Sequence, residues 1–413
     1  MEEGTYWQQS GSEGVTNIFL RGQEPHLALI HIPIELYSLC LQPILRLLFG
    51  EDHDEDAARI SWTNRHDFLN ISITPVECSI ICSRHLADRF VQPLADVLNK
   101  LYARTNGGAK PEIQISAEDY IVIQVDGQGL DAGQRVLELT SPLAMAGISI
   151  FFITTYFSDY ILVPFRSQRT VTKALQQRGF VFSKTVDAFV SQLSPSSPIL
   201  PQGGRPTSSP FYDSPIPTTP PAKDIPELQL RTFTRLKRNN VSPSVDSTIL
   251  LANCAGSREY DQANEDRLRN DLLQVLLATG APKPTLETLD FSAKFLSLTI
   301  TSGEPISVLL EHRLLDRLGG SLLGAKEEDD ALVPIMLDLR ELPLEATGIV
   351  CGVAGRLAQG VDKQLDMSPK STSGDPIEIS FLSTARAGTV IVRASQLEKA
   401  LEALDHGMKR VEA

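Results

Sequence analysis

GISIFFITTYFSDYILVPF, residues 147–165, is the most apolar stretch of this chain, and Tyr156-Phe157-Ser158-Asp159 interrupts it midway. A bilayer span needs about 20 consecutive apolar residues. Asp159 falls inside the run, so a membrane helix is excluded. A single buried strand would not carry the turn-forming pair Ser158-Asp159 at its centre. Two strands, ISIFFITT and YILVPF, folded back on each other through YFSD, satisfy both the burial and the interruption.

The neighbouring segments extend this hairpin into a unit. Upstream, YIVIQV (120–125) reads as a strand. DAGQRVLELTSPLAMAG (131–147) reads as an amphipathic helix with Val136, Leu139, Leu143 and Met145 inward. Downstream, SQRTVTKALQQRG is a helix with Ser167 as N-cap and Gly179 at its end, and FVFS closes the set. The order β-α-β-β-α-β is the ferredoxin-like arrangement. Residues 26–104 follow the same plan. HLALIHI (26–32) is a strand, and residues 34–49 are a helix with Leu36, Leu39, Cys40, Ile44, Leu47 and Leu48 on one face. Pro43 kinks that helix or marks its start. Strands ARISWT (58–63) and FLNISIT (68–74) come next, then CSIIC and a short helix from Leu86.

The chain then repeats itself. ISIFFITTYFSDYILV (148–163) falls on IEISFLSTARAGTVIV (377–392) at a shift of 229. FLNISIT matches FLSLTIT (295–301) at 227, and PVECSIICSRHLADRF (75–90) matches GEPISVLLEHRLLDRL (303–318) at 228. Between the halves, residues 194–226 hold ten prolines and no core-forming pattern, the composition of a disordered linker. The expected fold is α+β: four ferredoxin-like modules in two duplicated pairs, at 24–117, 118–183, 246–332 and 333–413, with a Pro/Ser-rich linker at 184–245.

Composition and motifs exclude several classes of function. The net charge of −13 argues against a nucleic-acid surface. Arg231, Arg235, Lys237 and Arg238 border the linker and suit partner docking better than phosphate contact. Five scattered cysteines and an N-terminus without signal-peptide character suggest a reducing, cytoplasmic setting. Cys78 and Cys82 lack further metal-ligand partners. GQGLDAG (127–133) has G-x-G-x-x-x-G spacing and precedes a hairpin, so it is no dinucleotide fingerprint; a tight turn or an anion-binding helix start remain. His53 sits in a solvated acidic run. With no nucleophile elbow, phosphate loop or zinc-protease motif, no enzyme activity, cofactor or metal is expected. Linker Ser-Pro and Thr-Pro steps at Ser194, Ser197, Ser209, Ser214 and Thr219 are candidate phosphorylation sites.

SPLAMAGISIFFITTYFSDYILV, LPLEATGIVCGVAGRLA (342–358) and SFLSTARAGTVIV (380–392) resemble the CASTOR family of cytosolic arginine sensors of the TOR growth-control pathway. The helix in HIPIELYSLCLQPILRLLF, followed by SITPVECSII, is similar to the family's first module. The long inserts mark a divergent, fungal-type relative. The resemblance implies that the modules are ACT domains, amino-acid-binding units, with the ligand between the second and fourth. It places Ser149, Ile150 and the loop Pro343, Leu344, Glu345, Ala346, Gly348, Ile349 and Val350 around the ligand, and Tyr156 and Asp159 on a partner-facing turn. Thr384 and Ala385, in the matching hairpin, complete the set. The two acids that grip the cationic end of arginine in that family fall on Ala346 and Gly388. A buried guanidinium without a carboxylate is disfavoured, which argues against arginine unless Glu345 and Glu378 supply the charge. The expected function is a non-enzymatic amino-acid sensor that signals through a regulatory protein complex, with a homodimer as one expected assembly. The alternatives are a regulatory subunit of an amino-acid biosynthetic enzyme such as aspartate kinase, or a scaffold with a vestigial pocket.

Overall fold

The computed structural model describes residues 17–20, 26–50, 61–104, 111–126, 132–178, 180–183, 222–257, 261–281, 292–318, 320–324, 331–343, 346–359 and 377–411. After β1 (Asn17–Leu20), the first stretch contains β2 (Leu27–Pro33), α1 (Leu41–Phe49), β3 (Phe68–Ile73), β4 (Glu77–Ser83), α2 (Arg84–Leu86), α3 (Gln92–Ala103) and β5 (Gln114–Ile115). The second contains β6 (Tyr120–Asp126), α4 (Ala132–Met145), β7 (Phe151–Thr154), β8 (Ser158–Pro164), α5 (Gln168–Gln176) and β9 (Val181–Ser183). Helix α6 (Ile225–Arg238) stands alone before the second half. That half runs through β10 (Leu251–Ala255), α7 (Gln262–Gly280), β11 (Leu296–Thr301), β12 (Glu304–Glu311), α8 (Leu315–Leu318) and β13 (Leu323–Gly324). It ends with β14 (Leu332–Asp338), α9 (Ile349–Gln359), β15 (Ile379–Ser383), β16 (Ala387–Arg393) and α10 (Leu397–Lys409).

The hairpin that decided the reading is present: β7 and β8 pair antiparallel, with Phe151 opposite Leu162 and Thr154 opposite Asp159. Its turn is tighter than YFSD, because Ser158 and Asp159 already belong to β8. Thr155 closes it, its amide and hydroxyl both bonding the Ser158 carbonyl.

All described strands join one sheet, and its path closes on itself. From β2 it runs through β4, β3, β11, β12, β10, β14, β16, β15, β7, β8 and β6, and β6 returns to β2 through Leu27 and Tyr120. Helix-facing residues of β2 such as Ile30 and Ile32 pack with α1, α3 and α7, while Leu27 and Leu29 point to the opposite face. That inner face holds its own apolar cluster, with Phe68, Tyr120, Leu162, Phe295 and Ile391. Burial on both faces explains why strands such as LALIHIP are buried at every position.

The halves meet about a pseudo-two-fold axis. On one side β3 and β11 pair over six positions, and Ile71 lies opposite Leu298, its own counterpart at the 227-residue shift. On the other side Ile153 lies opposite Leu382, its counterpart at 229. Two copies of one strand, running antiparallel and centred on the same residue, are what a dyad between duplicated units requires.

Several local expectations need correction. Trp62–Asn64 form a 3-10 turn, not the end of a strand over 58–63, because the Ser61 side chain accepts from the Thr63 amide; Ala58–Ile60 lie outside the described residues. Residues 34–40 are 3-10 helix, and α1 starts at Leu41, two residues before Pro43. The tighter winding swings Leu39 out to 48% exposure instead of onto the buried face. Ser167 precedes α5 but makes no capping bond. The stretch 184–245 is not all linker, since it contains α6, capped by Asp224, whose carboxylate accepts from the Glu227 amide. Leu228, Thr232, Phe233 and Leu236 bury one face of α6, and the basic residues examined above fall on this helix. The Ser-Pro and Thr-Pro steps, His53, Gly127–Asp131 and Gly179 lie outside the described residues.

Candidate functional site

The β7–β15 seam is short. Beyond Ile153 and Leu382 the ladder stops, and the Phe381 amide donates to the Thr154 hydroxyl instead of a carbonyl. Where the strands part lies a cavity of about 50 Å³. Ile150 and Phe151 wall it from the second stretch, and Leu339, Leu342, Pro343, Ala346, Ile349 and Val350 from the β14–α9 connection. Phe381, Ser383, Thr384, Ala385, Ala387 and Gly388, around the β15–β16 turn, complete it. No described lining residue carries a charge, and Ser383 and Thr384 supply the side-chain polar groups. One water needs about 10–15 Å³ on this measure, so the space suits a handful of heavy atoms. The first amides of α9 face no intrahelical acceptor, which suits a carboxylate.

Helix α6 braces the loop that forms one wall. Thr232 Oγ1 donates to the Gly348 carbonyl at 3.1 Å, and Arg235 Nη1 to the Thr347 carbonyl at 3.2 Å. Gly348 has φ +82°, and a Cβ there would lie 2.8 Å from Leu228 Cδ1. Glycine therefore serves both the left-handed backbone and the close helix packing.

Of the residues singled out in the sequence, Ile150, Pro343, Ala346, Ile349, Val350, Thr384 and Ala385 meet at this cavity. Ser149 is half-buried beside Ile150 without lining it. Leu344 and Glu345 lie outside the described residues. Glu378 does not approach the cavity; it is exposed and accepts from Arg393 Nε at 2.8 Å. It therefore cannot supply a charge to a ligand there. Tyr156 is 42% exposed, its ring edge-on to Phe157. Asp159 is not on a partner-facing surface, for it is buried and takes Arg135 Nε at 2.5 Å. Burial raises the Asp159 pKa, and Arg135 opposes that shift.

The sequence reading missed how the cavity turn is held from the other half. Glu77, fully buried, accepts from Thr384 Oγ1 and from the Arg386 amide, both at 2.6 Å, and lies 2.5 Å from His31 Nδ1. Ser79 Oγ accepts from the Ala385 amide. Arg386 does not line the cavity; its guanidinium donates to the Leu342 carbonyl and to Gln114 Oε1. A matching clasp occupies the opposite side. Glu304 accepts from Ser158 Oγ and Tyr160 Oη, and Ser307 Oγ accepts from the Tyr156 amide. The signal was present as the hairpin turns Thr74-x-x-Glu77 and Thr301-x-x-Glu304, which match at a shift of 227.

Residues 115–177 match the ACT domain family, covering β6 through α5. No curated protein matches the chain. Among solved structures, aspartate kinase from Synechocystis is similar at 11% identity and TM-score 0.31, covering 96% of this chain. The chain spans 56% of that kinase. The regulatory subunit of aspartate kinase from Thermus thermophilus is similar at 15% identity and TM-score 0.27, over 40% of this chain and 99% of its own. Among the described residues, no helix is long and apolar enough to cross a membrane.

Proposed function

We propose that this chain is a non-enzymatic regulator built of four ACT-type modules, which binds a small neutral amino acid between the second and fourth modules. The four-module reading rests on the recurring element order, β-α-β-β-α-β in residues 27–115, 120–183 and 251–324, and β-α-β-β-α in 332–409. The observation that carries the ligand assignment is the 50 Å³ cavity at the β7–β15 seam, whose described lining residues carry no charge. The ligand carboxylate would meet the start of α9, and its ammonium the Ser383 and Thr384 hydroxyls and nearby carbonyls. Arginine fits poorly, because a guanidinium would be buried there without a counter-charge. Occupancy would be read by a protein partner. The resemblance to the CASTOR sensors would make that partner a cytoplasmic complex of the TOR pathway.

A thermal-shift screen of the twenty amino acids tests this reading. Ligand at a hundred times its dissociation constant should add about 2.7 kcal/mol of stability. A glycine-to-valine-sized ligand should act, and Ala346→Phe should abolish the shift. If no amino acid moves the melting point, the sensor reading fails and the scaffold reading replaces it. Affinity capture identifies the reader: a biosynthetic kinase, instead of a signalling complex, would convert the proposal into a regulatory subunit.

A further inference from the structure

Helix α6 falls between β9 and β10, outside every recurring β-α-β-β-α-β set, yet it holds the loop that walls the cavity. Its seat is shaped for close approach. A Cβ on Gly352 of α9 would lie 2.6 Å from Thr232 Cβ, and one on Gly407 of α10 would lie 2.7 Å from Phe233 Cε1. Leu228 packs with Cys351 of α9 and Ala144 of α4 at the start of the helix. Helix α9 also sends Val353 and Leu357 into the core that holds Val390 and Val392 of β16, so it keeps an anchor of its own.

The two ends of α6 are held differently. Past the C-terminus Asn240 takes φ +54°, and Ser244 then exchanges both backbone hydrogen bonds with Met336 of β14. That end is moored to the sheet. The capping bonds at the other end are local, from the Glu227 amide to Asp224 and from the Lys223 amide to Glu227. A few residues at the end of an element, here Asn239–Asn240, can absorb the backbone change of a hinge.

What α6 grips gives the movement a consequence. Arg235 donates to the Thr347 carbonyl and Thr232 to the Gly348 carbonyl. In a trans peptide the N–H points opposite to the C=O. These two bonds therefore also fix the directions of the Gly348 and Ile349 amides, at the helix start assigned above to the ligand carboxylate. We propose that α6 is a strap that governs the amino-acid site. Docked on α9 and α10, it sets these amides for the carboxylate; swung away about Asn239–Asn240, it leaves them unset and affinity falls. The inference rests on the amino-acid reading of the cavity. By reciprocity, a ligand that gains from the docked strap tightens the strap by the same factor.

Hydrogen exchange and calorimetry on the full chain test it, with glycine, alanine, serine and valine as probes. Gly352→Ala and Gly407→Ala each set a methyl group against α6, while alanine favours the helix that carries it. Each should speed exchange over residues 225–238 at least about tenfold, with β14 and β16 still protected. The amino acid that binds wild type should bind both variants at least about fivefold more weakly, and in wild type it should slow exchange over 225–238 at least about fivefold. Thr232→Val keeps the bulk, loses the bond to Gly348 and should weaken binding too. If one glycine variant fails to fold, the other decides; if both fail, Thr232→Val does. The outcomes separate the two readings. If none of the four probes binds wild type, the amino-acid reading fails and takes the strap with it. If a probe binds wild type and a variant with released α6 equally well, the site stands and the strap is overturned. The strap is overturned as well if α6 stays protected in folded glycine variants, if its exchange ignores the ligand, or if Thr232→Val binds as wild type does.

Discussion

Glu77→Ala should be among the most damaging single substitutions in this protein. The carboxylate is fully buried and serves three donors on two distant segments: His31, the Thr384 hydroxyl and the Arg386 amide. Thr384 has a second acceptor in the Ala387 carbonyl at 3.1 Å, so its hydroxyl can turn. The other two donors lose an acceptor, at about 1–3 kcal/mol each for a buried group left unsatisfied. Added to the lost side-chain packing, the cost comes to about 3–7 kcal/mol, a large fraction of ordinary domain stability. Glu77→Gln keeps an oxygen for Thr384 and Arg386 and mismatches only His31, so about 1–2 kcal/mol is expected. Urea unfolding followed by the fluorescence of buried Trp62 measures both. A double-mutant cycle with Thr384→Val isolates the contact between halves, and its coupling should exceed 0.5 kcal/mol, the level seen between touching residues. A loss below about 1 kcal/mol for Glu77→Ala, or equal losses for the Ala and Gln variants, would refute the clasp.

Stability should also fall in acid through His66, whose pKa burial lowers from 6.5 to about 4. Between these values the unfolded chain binds a proton that the folded chain refuses, so stability drops as pH falls from 6.5 to 4 and is flat above; the full effect is about 3 kcal/mol. Replacing His66 with Gln should remove one proton from the slope of stability against pH, read from melting curves. All five cysteines are buried and free, so a thiol reagent should leave the native protein unmodified and label it on unfolding. Asp224→Ala should cost about 1 kcal/mol by uncapping α6, so deleting 194–226, which removes this cap, should lower the melting temperature more than deleting 194–219. Glu378→Gln should leave amino-acid binding unaltered in calorimetry, since its partner is Arg393 on the surface.

The strands were legible because burial on both faces writes itself into long apolar runs, and the hairpin because a turn must break such a run. The repeat was legible too, but that its counterparts Ile71 and Leu298 face each other across a seam emerges only in the folded sheet. Helix α6 was overlooked because nine prolines upstream dominate the composition, although Leu228, Thr232, Phe233 and Leu236 already trace a helical stripe. The clasp was harder to see. Glu77 and Thr384 are far apart in sequence, and only the closed ring brings them within 2.6 Å. Asp159 was placed by the resemblance and Glu378 by its repeat match to Ser149, neither of which shows the arginines, Arg135 and Arg393, that take up their carboxylates in the fold.

The two seams between halves are unequal, and the inequality bears on how a ligand could act. The β3–β11 seam is zipped over six residue pairs, whereas β7–β15 is joined at one. A ligand shifts an equilibrium only by its differential affinity for the two states. Bound at the firmly zipped seam, it would work against many hydrogen bonds; at the short seam it works against few. The cavity of the proposed amino-acid site lies at that short seam, beside Thr384. A ligand that moves the β15–β16 turn acts on the bonds Glu77 makes to Thr384 and to the Arg386 amide, and Glu77 belongs to β4, the neighbour of β3 in the long seam. The clasp therefore gives the small cavity a mechanical route into the more rigid side of the ring. Ser149→Phe, at the rim of the cavity, tests the coupling. Hydrogen exchange should show that a bound amino acid protects amides of β4 and of the β15–β16 turn together in the wild type, and neither in the variant. Protection confined to β15–β16 would mean that the clasp holds the ring together without transmitting the state of the cavity.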